Sequence, residues 1–132
     1  MKYKKIKDAL SKHFQITDLG PCTYYLGMSV CRDQPTHSLW LYQKGYIEKV
    51  LWEFNMWECK PVITPMDTNK LEPSKEGFIA TETDWNWYAR AIRSLMYTML
   101  KTRLDIAYVV SACSHYMTNP GEPHIKAVKQ IF

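Results

Sequence analysis

The sequence predicts an α+β fold: an N-terminal helix, an antiparallel β-hairpin, then a small bundle of three to four helices. Three observations predict it. Apolar residues recur at helical spacing near the N-terminus, the spacing switches to two between positions 23 and 43, and helical spacing returns in later stretches.

Each element has its own signal. Tyr3, Ile6, Leu10, His13 and Phe14 share one stripe, with lysines opposite, which predicts a helix over 3–17. Leu19-Gly20-Pro21 stops it. From Thr23 to Cys31, Tyr24, Leu26, Met28 and Val30 face one way and Tyr25, Gly27, Ser29 and Cys31 the other, as in a strand. The turn-forming run 32–38 and a second strand over 39–43 complete a hairpin with a long loop.

Helical spacing returns at 46–54, where Ile47, Val50, Leu51 and Phe54 make an apolar face. Lys60–Pro65 reads as extended, because the residue before each proline is pushed out of the α region. Residues 67–84 are polar, aperiodic and punctuated by Pro73 and Gly77, which predicts a surface linker. Tyr88, Ile92, Leu95, Met96 and Met99 share a face in a helix over 86–100. Ile106, Val109, Val110, Cys113 and Met117 do so over 103–117, with Thr102-Arg-Leu-Asp105 as a capping box. Asn119-Pro-Gly-Glu-Pro123 breaks the chain before a last helix near His124. The expected organisation is 1–66, a linker over 67–84, and 85–132.

Composition narrows the function classes. With 132 residues, 46% hydrophobic and 23% charged, the chain has the make-up of one ordinary globular domain. No apolar run approaches the ~20 residues of a membrane span. The basic start lacks an apolar run behind it, so no secretory signal is expected. Cys22, Cys31, Cys59 and Cys113 are irregularly spaced and read as reduced, buried thiols. The expected location is therefore intracellular, cytoplasmic or nuclear. The net charge of +4 is modest, yet five of the first twelve residues are lysines. That cluster fits a solvated helix face or a polyanion contact.

Catalytic signals are sparse. The six aspartates (Asp8, Asp18, Asp33, Asp67, Asp84, Asp105) lie at least ten residues apart, so no local pair can grip two metal ions. Cys22, Cys31 and His37 lack zinc-site spacing, and Cys113 and His115, two apart on a helix, point to different faces. No cysteine has a demonstrable electropositive setting, and the glycines are too scattered to cradle a phosphate. What remains is the run Trp40, Tyr42, Lys44, Tyr46 and Lys49, where aromatics alternate with cations. Such a run either stacks on bases and neutralises phosphates or forms an aromatic core stripe with lysines reaching out to water.

The order of the blocks carries more. Lys7-x-x-Leu10-x-x-x-Phe14-x-Ile-Thr-Asp18-Leu-Gly20, Tyr24-Tyr-Leu-Gly-Met28, Leu41-Tyr-Gln-Lys-Gly-Tyr-Ile-Glu-Lys-Val-Leu51 and Cys59-Lys-Pro-Val-Ile-Thr-Pro-Met66 come first. Then follow Tyr88-x-x-x-Ile92-x-Ser-Leu-Met-Tyr97, Thr102-Arg-x-Asp-Ile-Ala107 and Met117-x-Asn-Pro120. Together they resemble the reverse transcriptases of copia-type retrotransposons across nearly the whole chain. Arg93 stands where that family reads Gly, and Leu104 where it reads Pro.

The resemblance implies a non-catalytic piece: the end of the palm with a primer-contacting hairpin and first thumb helix (1–66), then a helical thumb or connection segment (85–132). The family's two magnesium ions sit on a Tyr-x-Asp-Asp motif upstream of the first helix, so their ligands are absent here and no cofactor is expected. Gln43, Lys44 and Tyr46 are assigned to primer contact, and Lys49, Lys60 and Arg103 to phosphate neutralisation. The implied partner is an RNA–DNA or DNA template–primer held without sequence preference, with no membrane. A second reading is a decayed or captured fragment serving as a structural or protein-interaction module. On that reading Trp40, Trp52, Trp57, Tyr24 and Met28 would form an exposed patch covered by other parts of the polyprotein or a second copy.

Overall fold

A computed structural model describes residues 2–66 and 71–132. Asp67 and positions 68–70, the first part of the expected linker, lie outside the described residues. The first helix, α1 (Lys2–Ser11), is built from lysines, Ala9 and Leu10, good helix formers without Gly or Pro. It stops well short of position 17. The His13 and Phe14 N–H groups both bond the Leu10 carbonyl and turn the chain. A helix this short gains little from propensity, and its stripe Tyr3, Ile6, Leu10 and Phe14 lies exposed rather than against a core. Lys7 Nζ meets Asp18 at 2.6 Å, and Asp18 also accepts from the Gly20 N–H. Because both partners are exposed, this tether adds little stability.

The expected hairpin is a three-stranded antiparallel meander: β1 (Tyr24–Tyr25), β2 (Met28–Asp33) and β3 (Ser38–Tyr42), in that spatial order. The strand expected over 23–31 is cut by a two-residue turn at Leu26-Gly27, with Tyr25 opposite Met28. Both turn residues have positive φ, 47° and 78°, the requirement of the hairpin turn that matches strand twist. The β2–β3 connection is not long either. Asp33 pairs with Ser38, leaving a four-residue loop, Gln34–His37, held by Thr36 Oγ1 donating to Asp33. Met28, expected in an exposed patch, is buried.

Helix α2 (Lys44–Glu53) ends in a Schellman motif: Asn55 at φ 57°, its N–H on the Trp52 carbonyl, and the Met56 N–H on the Leu51 carbonyl. Helix α3 (Glu82–Lys101) starts four residues before the expected 86, because Thr81 caps it. The Thr81 hydroxyl accepts from the Asp84 N–H and donates to the Asp84 carboxylate. The capping box expected at Thr102–Asp105 is absent: Thr102 closes α3 instead, and Asp105 binds Arg103. The helix expected over 103–117 is a 3₁₀ turn (Leu104–Ile106) followed by α4 (Ala107–Ser114), and α5 spans Glu122–Ile131.

One core unites α2, α3, α4 and α5. Val50 and Phe54 of α2 pack with Tyr88, Ala91, Ile92 and Leu95 of α3, Val109, Val110 and Cys113 of α4, and Ala127, Val128 and Ile131 of α5. Thus α2, grouped by the sequence with 1–66, shares its core with 85–132. Met96, expected on the packed face, is exposed, as are Cys22, Cys31 and Cys59, expected to be buried; only Cys113 of the four thiols lies on a core-forming helix. At the centre the Tyr88 hydroxyl donates to the Cys113 carbonyl at 2.7 Å.

The described part of the linker, a strap over 71–81, is not loose. Tyr116 Oη donates to the Leu71 carbonyl, Ser74 Oγ to the Asn119 carbonyl, and Asn119 brackets the strap by accepting from Ala80 N–H and donating to the Phe78 carbonyl. His124 Nδ1 accepts from the Gly121 N–H and its Nε2–H donates to the Glu72 carbonyl, the ring stacking on Tyr116.

Outside this core lie α1 and much of the sheet. The accessible surface is 10801 Å², against about 7,200 Å² for a compact monomer of this mass.

Candidate nucleic-acid interface

Sequence places the candidate contacts around the start of α2, and most of that region is structural. Gln43 is 2% exposed. It is the N-cap residue of α2, and its Oε1 accepts from Thr102 Oγ1 at 2.8 Å, tying the start of α2 to the end of α3. Its Nε2 is buried with no partner among the described residues. A buried amide cannot touch a duplex, so Gln43 leaves the contact set. Tyr46 is half-buried: its ring packs edge-on against Tyr97 at 4.7 Å and its hydroxyl reaches the Ser94 carbonyl.

Arg103 is exposed but committed. Its guanidinium grips Asp105 through both Nε and Nη2, at 2.8–3.1 Å. The Asp105 carboxyl is held below the usual carboxylate range by this hydrogen bonding, and Arg103 is held above its ordinary value by the same contact. Binding a phosphate would mean exchanging one anion for another.

The exposed lysines remain. Lys44 sits at the start of α2, its Nζ 4.0 Å from Glu48. Lys49 is five residues on, about 140° around the helix, so the two address different sides. Lys60 lies beyond the turn that ends α2, also exposed. The structure therefore packs Gln43 and Tyr46 into the junction of α2 with α3, pairs Arg103 with Asp105 at the surface, and leaves Lys44, Lys49 and Lys60 as separate surface charges.

Sequence reasoning misses the residue that organises the junction. Tyr97 supports the Tyr46 ring, carries the Lys101 ammonium 6.0 Å above its own ring, and donates its hydroxyl to the Leu26 carbonyl at the β1–β2 turn. A signal for it exists: Tyr97 follows Arg90 and Arg93 on the polar stripe of α3, where an aromatic breaks the pattern. Arg93 itself is exposed and displaces no helix, and Leu104 opens the 3₁₀ turn facing solvent.

At the other end of α2, Trp52 and Trp57 stack with centroids 5.3 Å apart, both exposed. Beside them Arg90 binds Glu53 and lies over the Phe54 ring. A groove of about 560 Å³ runs between the strap and α5, lined by Leu71, Pro73, Phe78 and Ala127 together with the charged residues Glu72, Lys75, Glu122 and Lys126. The paired aspartates that two metal ions require are not in this sequence, and among the described residues no three His, Cys, Asp or Glu side chains come together. The residues present therefore do not fit the metal pair that the resemblance associates with polymerisation. Among the described residues no helix is long and apolar enough to cross a membrane.

Comparison with known proteins places these features. The sequence profile of a family described as "Reverse transcriptase (RNA-dependent DNA polymerase)" matches residues 1–68. The chain is 45% identical over 132 aligned residues to the retrovirus-related Pol polyprotein from transposon TNT 1-94 of Nicotiana tabacum, covering 96% of this chain and 10% of that protein. It is 38% identical over 125 residues to the Pol polyprotein from transposon RE1 of Arabidopsis thaliana, covering 94% and 8%. An uncharacterized mitochondrial protein of Arabidopsis thaliana is 33% identical over 122 residues, covering 92% of this chain and 48% of that one. The chain thus spans about a tenth of the length of the polyproteins it matches. No solved structure matches.

Proposed function

Since the chain belongs to the reverse transcriptase family of copia-type retrotransposons, we propose that it is a non-catalytic Pol segment that keeps template–primer-binding elements. The observation that supports this is a likeness running through nearly the whole chain, not one motif. The chemistry needed is modest. Sequence-independent binding asks only for cations and donors spaced along a phosphate backbone. Lys44, Lys49 and Lys60 supply exposed charge, and Gln43 and Tyr46 anchor the helix that carries the first two. Catalysis of phosphoryl transfer is not proposed, because the carboxylates that hold its metal ions are not in the sequence.

The test is fluorescence anisotropy with a labelled RNA–DNA hybrid at low and high salt. Binding should weaken steeply with salt. Replacing Lys44, Lys49 and Lys60 by Ala should flatten the slope of log K against log salt by about 1 for each phosphate no longer neutralised.

A second reading, a protein-interaction module without nucleic-acid binding, is favoured by a different observation. Trp40, Trp52, Trp57 and Tyr24 are all exposed, and Trp52 is 65% exposed. No binding at low salt would select it.

A further inference from the structure

The outer edge of β3 carries one more function. We propose that two copies of this chain join through β3, edge to edge and antiparallel, making a continuous six-stranded sheet.

The ladder fixes which backbone groups are free. The Val30 N–H bonds the Thr23 carbonyl, so Met28, Val30 and Arg32 direct their backbone groups toward β1. Ser29, Cys31 and Asp33 then serve β3, meeting Tyr42, Trp40 and Ser38. By alternation, Leu39 and Leu41 point their N–H and C=O groups away from the sheet, where β3 is the edge strand among the described residues.

This edge lacks every usual protection. Ser-Leu-Trp-Leu-Tyr contains no charge, no proline and no bulge, and Leu39, Trp40, Leu41 and Tyr42 are each about half exposed. The segment is also self-complementary. A two-fold axis through Trp40 sets Leu39 against Leu41 of the second copy on one face, and Trp40 against Trp40 with Tyr42 against Ser38 on the other. No like charges meet. Leu39 and Leu41 become the hydrogen-bonded pairs, and Trp40 faces its counterpart at the non-hydrogen-bonded position, where side chains approach most closely.

Size-exclusion chromatography with light scattering on the 132-residue chain, without nucleic acid, tests this. The expected result is a mass twice the 15.6 kDa of the chain, shifted to the monomer by Leu39→Lys with Leu41→Lys while the circular dichroism spectrum is kept. With Cys22, Cys31 and Cys59 replaced by Ser, Trp40→Cys should give a disulfide-linked dimer under mild oxidation, and Leu41→Cys should not. A monomer at all concentrations, or a dimer or aggregate indifferent to the two lysines, overturns the proposal. So does cross-linking by Leu41→Cys but not Trp40→Cys.

Discussion

The Tyr97 hydroxyl donates to the Leu26 carbonyl across 71 residues of sequence, and this bond fastens the β1–β2 turn to α3. Gly27, next to that carbonyl, has φ +78°, and a Cβ added there would collide with the Tyr97 oxygen. The turn therefore needs glycine twice over, once for its backbone and once for the closeness of α3.

Gly27→Ala should destabilise the chain by about 1–3 kcal/mol, from left-handed strain plus displacement of the tyrosine. Tyr97→Phe should cost about 1 kcal/mol through the missing hydrogen bond. The two are not independent. Removing the hydroxyl leaves the nearest ring carbon 3.5 Å from the new methyl, so the double variant should lose less than the sum of the singles. Urea midpoints of all four proteins measure this, and strict additivity would show that the turn and α3 do not touch in solution.

How much of the fold is legible in the sequence depends on the range of the interaction. Helices α2 and α3 are readable because Val50 with Phe54, and Tyr88 with Ile92 and Leu95, repeat at helical spacing and pack as that spacing demands. The Leu26-Gly27 turn is not. An unbroken alternation through 24–31 fits one long strand equally well, and leucine seldom adopts positive φ. The strap reads as a loose linker because its order comes from Tyr116, Asn119 and His124, about forty residues or more away in the chain. Residue types at the start of α2 hint at a polyanion surface. They cannot show that Gln43 and Tyr46 face inward, since that is decided by Thr102 and Tyr97 at the end of α3.

Chemistry in the core gives a pH signature. Burial pushes the Cys113 thiol up to about 11 and raises the Tyr88 hydroxyl as well, so both stay neutral in the folded chain. The unfolded chain ionises Cys113 at its ordinary value, and between that value and about 11 it has released a proton the folded state retains. Stability must then fall as pH rises, by up to about 1.4 kcal/mol per pH unit from the thiol alone. Urea midpoints between about pH 8.5 and 10 should show this decline, and Cys113→Ala should flatten it. Iodoacetamide should label the exposed Cys22, Cys31 and Cys59 in the native chain and Cys113 only on unfolding. Rapid native labelling of Cys113 would mean that the α3–α4 core opens freely.

The strap supplies the last test. Asn119 holds it by two side-chain bonds, to the Ala80 N–H and the Phe78 carbonyl, whereas His124 satisfies the buried start of α5 as well as the Glu72 carbonyl. The two residues should therefore fail differently. Asn119→Ala releases a peripheral segment, so trypsin should cut after Lys75 several times faster while helix content and unfolding midpoint change little. His124→Ala strips a fully buried ring from between Tyr116 and the strap and orphans the Gly121 N–H, which should cost about 2–4 kcal/mol of global stability. Limited proteolysis beside urea denaturation separates them. If Asn119→Ala lowered the midpoint as far as His124→Ala, the strap would be part of the cooperative core rather than a layer fastened onto it.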